Sequence, residues 1–233
     1  MKIKKGMNKK ELSILFGLIL LSPIFLILSR LFLPTNYLFS SLYKLIFLFP
    51  LFYYIYIEKK SLKNIYQENF SFKTVKNTWK KMCILGLGIA LIYITTFFLL
   101  KGFVDISSII QKLELVATIN TTNIIFIGAY IIFINSLLEE FFWRGFIFKK
   151  MKENIGNKAY IITGLAFSLH HMMFYYNWFT LPFFLIVTVG LSAYAILMNF
   201  IFDRYKDLYS CWLVHALADT AQIGIAITII GLL

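Results

Sequence analysis

The chain has 233 residues, of which 60% are hydrophobic, 18% aromatic and only 15% charged, and its mean hydropathy is +0.77. These values exclude an ordinary soluble globular domain and indicate a polytopic membrane protein. Lys and Arg outnumber Asp and Glu by 23 to 11, a balance that nucleic-acid-binding proteins also show. The basic residues are concentrated in a few loops, however, so membrane topology explains them and no nucleic-acid partner is expected.

Several apolar segments are long enough to cross a bilayer as a helix, which takes about 20 residues. Because helices satisfy their own backbone hydrogen bonds in lipid, we predict an all-α fold, a polytopic transmembrane helix bundle of about seven spans. The predicted spans are 12–33, 37–57, 82–101, 122–148, 159–176, 180–202 and 208–232. Residues 102–121 predict a short amphipathic surface helix. Lys44, within the second span, either snorkels outward, which we expect, or marks a later helix start.

The distribution of basic residues predicts the orientation of the chain. Lysines are frequent in 2–10, 59–81 and 149–158, whereas the loops near 34–36 and 177–179 contain no Lys or Arg. The positive-inside rule therefore predicts a cytoplasmic N-terminus. The first apolar run exceeds the length of a signal-peptide core, about 7 to 15 residues, and no cleavage site follows it, so we interpret it as a retained helix.

A polar insert divides the chain. Residues 58–81 form the largest one and are predicted to be a cytoplasmic loop. We therefore describe residues 1–120 as an N-terminal transmembrane extension and residues 121–233 as the membrane core. Cys83 and Cys211 lie in or beside apolar spans, which favours packing roles over a disulfide or a Cys metal cluster.

Three acids and all three histidines lie deep within apolar runs. They are Glu139, Glu140, Asp219, His170, His171 and His215. An ionisable residue at the centre of a membrane helix costs about 2.5 to 3.5 kcal/mol on insertion scales, and is by default a functional hypothesis. A proton relay of a transporter is one such function, although the sequence lacks the inverted repeat that many transporters show.

Helical spacing pairs most of these residues. Glu140 and Arg144 are four apart and share a helix face, which predicts an ion pair. Glu139 is rotated by about 100° and faces elsewhere, so it is available for chemistry. By the same argument His170 points away from His171 and is expected to be structural.

Two further pairs are four apart, Phe167 with His171 and His215 with Asp219. At about 1.5 Å of rise per residue, Glu139, His171 and Asp219 lie roughly 14, 18 and 16 Å from the cytoplasmic ends of their helices. His215 lies roughly 10 Å from its own end. Similar depths on three helices predict one shared polar site.

Such a site permits hydrolysis of a peptide bond in two ways. A carboxylate beside an imidazole can act as a general base toward water, and a second imidazole can stabilise the oxyanion. Alternatively, two histidines and a carboxylate can hold Zn²⁺, which lowers the pKa of its bound water.

Three motifs occur in order, Glu139-Glu140-x-x-x-Arg144, Phe167-x-x-x-His171 and His215-x-x-x-Asp219. Together they resemble the motifs of the CAAX protease and bacteriocin-processing (CPBP or Abi) family of intramembrane endopeptidases, which includes type II CAAX prenyl protease-like enzymes. The resemblance covers about residues 120–232.

The resemblance implies a role for each motif residue. Glu139 would be the general base, assisted by His171, while His215 and Asp219 would stabilise the oxyanion. Glu140 and Arg144 would form a supporting ion pair, and Phe167 would support His171. The family usually has Asn where this chain has Asp219, so Asp219 is either protonated or orients His215. No cofactor is certain; if a divalent metal such as zinc is bound, its implied ligands are Glu139, His171 and His215.

The resemblance further implies a glutamate-type endopeptidase, with a small peptide precursor or a membrane-protein segment as substrate. An alternative is a bacteriocin immunity or binding protein that uses the same fold without proteolysis. The Lys, Ile and Asn bias of the composition suggests an AT-rich bacterial source, and therefore a multi-pass protein of the bacterial plasma membrane with an unprenylated substrate.

Overall fold

The computed structural model of the chain describes residues 8–32, 41–175 and 179–231. Every regular element in these residues is helical, which confirms the all-α class. The helices are α1 (Lys9–Phe32), α2 (Leu42–Leu48, Phe49–Phe52 and Tyr53–Ile57 in succession), α3 (Leu62–Asn69), α4 (Phe72–Leu100), α5 (Ile106–Ala117), α6 (Ile124–Ile155), α7 (Lys158–Phe174), α8 (Leu181–Tyr205) and α9 (Leu208–Ile230). The predicted amphipathic helix in 102–121 is present as α5.

Among the described residues, five helical segments are long and apolar enough to cross a membrane, so the chain is a multi-pass membrane protein. They are Lys9–Leu28, Leu62–Phe103, Ile124–Ile155, Leu181–Tyr205 and Leu208–Ile230. Within α2, Lys44–Ile57 is a shorter apolar helix, and α7 has 17 residues. The predicted count of about seven spans includes both and stays a prediction, as does the cytoplasmic N-terminus. Residues 2–7, the loop 34–36 and residues 177–178 lie outside the described part of the chain.

The polar insert 58–81 is largely helical, and its cytoplasmic position stays a prediction. Helix α3 lies within the insert, and α4 begins at Phe72, ten residues before the predicted span. Two serines cap these helices: Ser61 Oγ accepts from the Asn64 N–H, and Ser71 Oγ from the Thr74 N–H. Such caps satisfy backbone N–H groups that the first turn leaves free, so a polar sequence can begin a helix.

Helix α6 carries Glu139 and Glu140 and changes its pitch on both sides of them. Ile131–Asn135 and Phe141–Phe148 are π-helical, whereas Ser136–Glu140 between them is α-helical. All eight residues of Phe141–Phe148 are buried. Stretches of π-helix are rare overall, but those that occur are often at functional sites. This part of α6 is therefore a candidate location for a functional site.

The N-terminal extension packs into the same hydrophobic core as the later helices. Leu15 of α1 and Tyr54 of α2 are fully buried in one cluster with Phe142 and Phe146 of α6. Tyr54 also donates its hydroxyl hydrogen bond to the Gly145 carbonyl at 2.7 Å. The extension therefore supports the helix that carries the two glutamates.

Helix α9 packs closely along α4 because a glycine leaves space between them. A Cβ added at Gly86 would lie 2.7 Å from Leu217 Cδ1 and 3.3 Å from the Val214 Cα. Small residues permit such close approach of membrane helices. This contact fixes the position of α9, which carries His215 and Asp219.

Candidate active site

The Glu139 carboxylate lies at the centre of a buried polar cluster. Its side chain is 7% exposed, and its Oε2 atom is 3.3 Å from His171 Nε2 on α7. The Asn135 amide donates to Oε1 at 2.6 Å. Glu139 therefore has a neutral partner one turn earlier on its own helix, which the sequence analysis missed, and one carboxylate oxygen still faces His171.

His171 is held by the motif residue that precedes it by one turn. Its Nδ1 lies 2.9 Å from the Phe167 carbonyl oxygen. Because a carbonyl only accepts hydrogen bonds, Nδ1 carries the proton and Nε2 faces Glu139. The imidazole also stacks on the Phe167 ring at 4.1 Å between centroids, and the Arg144 guanidinium lies 4.5 Å from that ring. Phe167 thus links the first two motifs.

His215 of α9 contacts three carboxylates. Its Nδ1 lies 2.8 Å from Glu140 Oε1, while its Nε2 is 3.6 Å from Asp219 Oδ1 and 4.0 Å from Glu139 Oε2. A carboxylate accepts the Nδ1 proton, so Nε2 faces Glu139 and Asp219. The contact that orients His215 therefore comes from Glu140. Orienting His215 was one of the two roles expected for Asp219.

Glu140 and Arg144 form the ion pair that their spacing predicts. Arg144 Nη1 donates to Glu140 Oε1 at 2.9 Å, and both side chains are almost completely buried. Arg144 Nη2 also donates to the Ala195 carbonyl of α8 at 3.4 Å. A buried carboxylate is costly unless it is paired and hydrogen-bonded, and Glu140 Oε1 accepts from both Arg144 and His215.

The structure thus brings all seven motif residues into one connected cluster, formed by α6, α7 and α9. They are Glu139, Glu140, Arg144, Phe167, His171, His215 and Asp219. His170 is directed elsewhere: its Nδ1 lies 3.1 Å from Ser22 Oγ on α1, as expected of a structural histidine.

Two residues near the cluster belong to no motif. Tyr194 of α8 is 8% exposed, and its ring lies 5.9 Å from the His215 ring. Lys44 of α2 lies 5.6 Å from the Tyr130 ring and interacts electrostatically with Glu139 and Asp219. Within the described residues, the apolar helix Lys44–Ile57 begins at this lysine, and its outward snorkelling stays a prediction.

The cluster contains the residues that would be the ligands of a divalent metal, Glu139, His171 and His215. Within residues 8–32, 41–175 and 179–231, no group of three or more His, Cys, Asp or Glu is arranged to hold a metal ion. One oxygen of Glu139 is engaged by Asn135. We therefore derive no step of a reaction through a metal. Cys211 is buried and Cys83 partly buried, and both are free thiols.

Residues 121–221 match a family model described as type II CAAX prenyl endopeptidase Rce1-like. The matched segment contains all three motifs, so the resemblance inferred from them is confirmed. The match supports intramembrane endopeptidase activity of the CAAX type in general. No curated protein and no solved structure is significantly similar to the chain.

Proposed function

We propose that the protein is an intramembrane endopeptidase in which Glu139 activates the attacking water, because residues 121–221 match the Rce1-like family model. The observation that carries this proposal is the 3.3 Å approach of Glu139 Oε2 to His171 Nε2 within a buried cluster. A carboxylate and an imidazole at this separation can both contact one water that lies beside them, and the carboxylate can remove its proton. The Asn135 hydrogen bond keeps the carboxylate in this orientation.

The first chemical step forms a bond between the water oxygen and the carbonyl carbon of the substrate. Glu139 takes one proton of the water, and the carbonyl π electrons move to the carbonyl oxygen, which becomes an oxyanion. In the second step the carbon–nitrogen bond breaks, and Glu139 gives its proton to the departing amine nitrogen. The products are a carboxylic acid and an amine, and Glu139 is regenerated as a carboxylate.

His215 is suited to stabilise the oxyanion. Its Nδ1 is committed to Glu140, so its Nε2 is the atom that can face the substrate. An imidazolium at this position would be stabilised by carboxylates on both sides. Groups fixed before the reaction stabilise developing charge better than groups that must reorganise. In this proposal Glu140 positions His215, and Arg144 offsets the charge of Glu140.

Asp219 differs from the residue usual in the family at this place. Its Oδ1 is 3.6 Å from His215 Nε2, on the side of the ring opposite the Glu140 contact. Since Glu140 already orients His215, the remaining role for Asp219 is on the substrate side. It can donate a hydrogen bond there only when it is protonated.

The substrate class that we propose is a small peptide precursor or a membrane-protein segment that does not need a prenyl group. The experiment is comparative peptidomics of membranes that contain the wild type or the Glu139→Gln variant, which keeps the size of the side chain. Peptides that appear only with the wild type would support the proposal. Identical peptide patterns with a folded variant would contradict it.

A second pair of strains tests the immunity function without proteolysis. If cells are protected from a bacteriocin equally by the wild type and by the double variant Glu139→Gln, His171→Ala, the fold acts by binding. Loss of protection together with loss of cleavage supports the endopeptidase.

A further inference from the structure

The hydroxyl group of Tyr194 has no hydrogen-bond partner among the described residues, although the side chain is 8% exposed. Burying a hydroxyl without a partner lowers the stability of a fold. Phenylalanine would fill the same space without this cost. The hydroxyl is therefore not used by the resting fold, in contrast to that of Tyr54, which donates to the Gly145 carbonyl.

Tyr194 lies against the candidate active site. Its ring meets the His215 ring edge-on, with 5.9 Å between centroids and an interplanar angle of 71°, and lies 6.3 Å from the Phe167 ring. Tyr194 also interacts electrostatically with Glu140 and Asp219. It comes from α8, which contributes no motif residue, so α8 forms a fourth wall of the site.

We propose that Tyr194 is a further catalytic residue, whose hydroxyl donates a hydrogen bond to the oxyanion that forms when water attacks the substrate carbonyl. This inference rests on the proposed endopeptidase function. A tetrahedral oxyanion is usually stabilised by more than one donor. His215 Nε2 can supply one, but an ionised Asp219 only accepts hydrogen bonds. Tyr194 supplies a donor that has no competing acceptor among the described residues.

The role of the hydroxyl is limited to hydrogen bonding. The proton moves from water to Glu139 and then to the amine nitrogen, and Tyr194 keeps its own proton throughout. The variant Tyr194→Phe is therefore a clean test, because it removes the donor and leaves the ring contacts with His215 and Phe167. Tyr54→Phe is the matched control, since it removes a buried hydroxyl that has a structural partner.

The probe is an internally quenched peptide with a CAAX C-terminus, prepared with a free and with a farnesylated cysteine. For Tyr194→Phe we expect a kcat lower by about 100-fold, the effect of removing one oxyanion donor, with KM nearly unchanged. Its thermal unfolding in detergent should occur at the same or a higher temperature. For Tyr54→Phe we expect the opposite, a lower unfolding temperature with kcat retained.

The outcomes separate this inference from the function on which it rests. If Glu139→Gln is inactive and Tyr194→Phe keeps the wild-type kcat, the role of Tyr194 is refuted and the endopeptidase stands. If Tyr194→Phe unfolds at a lower temperature, as Tyr54→Phe should, the hydroxyl is structural and the inference also fails. If Glu139→Gln cleaves the probe as fast as the wild type, the proposed role of Glu139 fails and the inference with it.

Discussion

Glu140 Oε1 accepts a hydrogen bond from His215 Nδ1 at 2.8 Å, across 75 positions of the chain. The same oxygen accepts from Arg144 Nη1 at 2.9 Å. One buried carboxylate oxygen therefore connects a stabilising ion pair to an imidazole of the site. Glu140 links stability and activity, and these two properties can be separated by mutation.

The Glu140 and Arg144 pair gives the first prediction. Glu140→Gln leaves the Arg144 charge buried without a counter-ion, so we expect a loss of about 3 to 5 kcal/mol of unfolding free energy. In the double variant Glu140→Gln, Arg144→Met, the loss should be smaller than the sum of the two single losses. Its activity should stay low, because His215 has lost its acceptor. A loss in the double variant equal to the sum of the two single losses would show that the pair is not coupled.

Asn135 gives the second prediction. Asn135→Leu removes the donor to Glu139 Oε1, a hydrogen bond to a charged group worth about 1.5 to 3 kcal/mol. If half of this is lost in the transition state, kcat falls by about tenfold. The control is Asn199→Leu, which removes a buried amide that binds Thr163 and the Tyr160 carbonyl, away from the carboxylates. The control should lose stability but keep kcat. If Asn135→Leu leaves kcat unchanged, the Asn135 hydrogen bond is not needed to position Glu139, and the contact with His171 is sufficient.

Asp219 gives the third prediction. Asp219→Asn introduces an N–H donor where the ionised carboxylate can only accept, so we expect kcat to be retained or raised. Asp219→Leu has a similar size but no polar atom, and its kcat should fall. Initial rates with the quenched peptide probes measure both. If Asp219→Asn abolished activity while the protein stayed folded, the carboxylate itself would be required, which contradicts the substrate-side role given above.

Gly86 and Gly88 give the fourth prediction, on packing. Gly86→Ala places a Cβ 2.7 Å from Leu217, whereas a Cβ at Gly88 meets no atom within 4 Å. Overpacking a tight contact costs about 1 to 3 kcal/mol. Replacing glycine within a helix otherwise gains about 1 kcal/mol. Thermal unfolding should therefore occur at a lower temperature for Gly86→Ala and at an equal or higher temperature for Gly88→Ala. Equal stabilities would mean that α4 and α9 separate easily.

Glu58, which lies between α2 and α3, gives the fifth prediction. Partial burial raises the pKa of its carboxyl, but hydrogen bonds from Lys150 and Lys60 outweigh this and lower it overall. A lowered pKa in the folded state contributes stability that is present above the unfolded-state value and lost as pH falls through the folded-state value. We therefore expect the unfolding temperature to drop below about pH 4.5, the region of the unfolded carboxyl. Glu58→Gln should show less of this drop, and an equal drop would exclude Glu58 as its cause.

Some of the fold and site could be predicted because local spacing determines them. Glu140 with Arg144, and His171 with the Phe167 carbonyl, are one turn apart on single helices, so helical geometry brings them together. Asn135 and Glu139 have the same spacing, and this signal was available in the sequence. The contact of Glu140 with His215 joins two helices, and its atoms depend on how α6 and α9 rotate against each other. Helical spacing contains no information on that rotation.

Other features could not be predicted, because no local sequence pattern indicates them clearly. Tyr194 is one aromatic residue in an apolar helix, and only the packing of α8 against α9 brings it to His215. The helices within the polar insert 58–81 leave a weaker signal than its polarity, since only the capping serines Ser61 and Ser71 mark where they begin.

The two π-helical stretches of α6 determine in which direction the side chains at one end of the helix face relative to those at the other end. Each widened turn contains more residues than an α-turn, so the side chains beyond it face a direction that a regular helix of the same sequence would not give. Ser136–Glu140 lies between the two stretches. Removing one residue from either stretch would restore regular pitch and rotate one half of α6 against Glu139 and Glu140. Natural insertions and deletions should therefore be tolerated at the ends of this helix and selected against within 131–148.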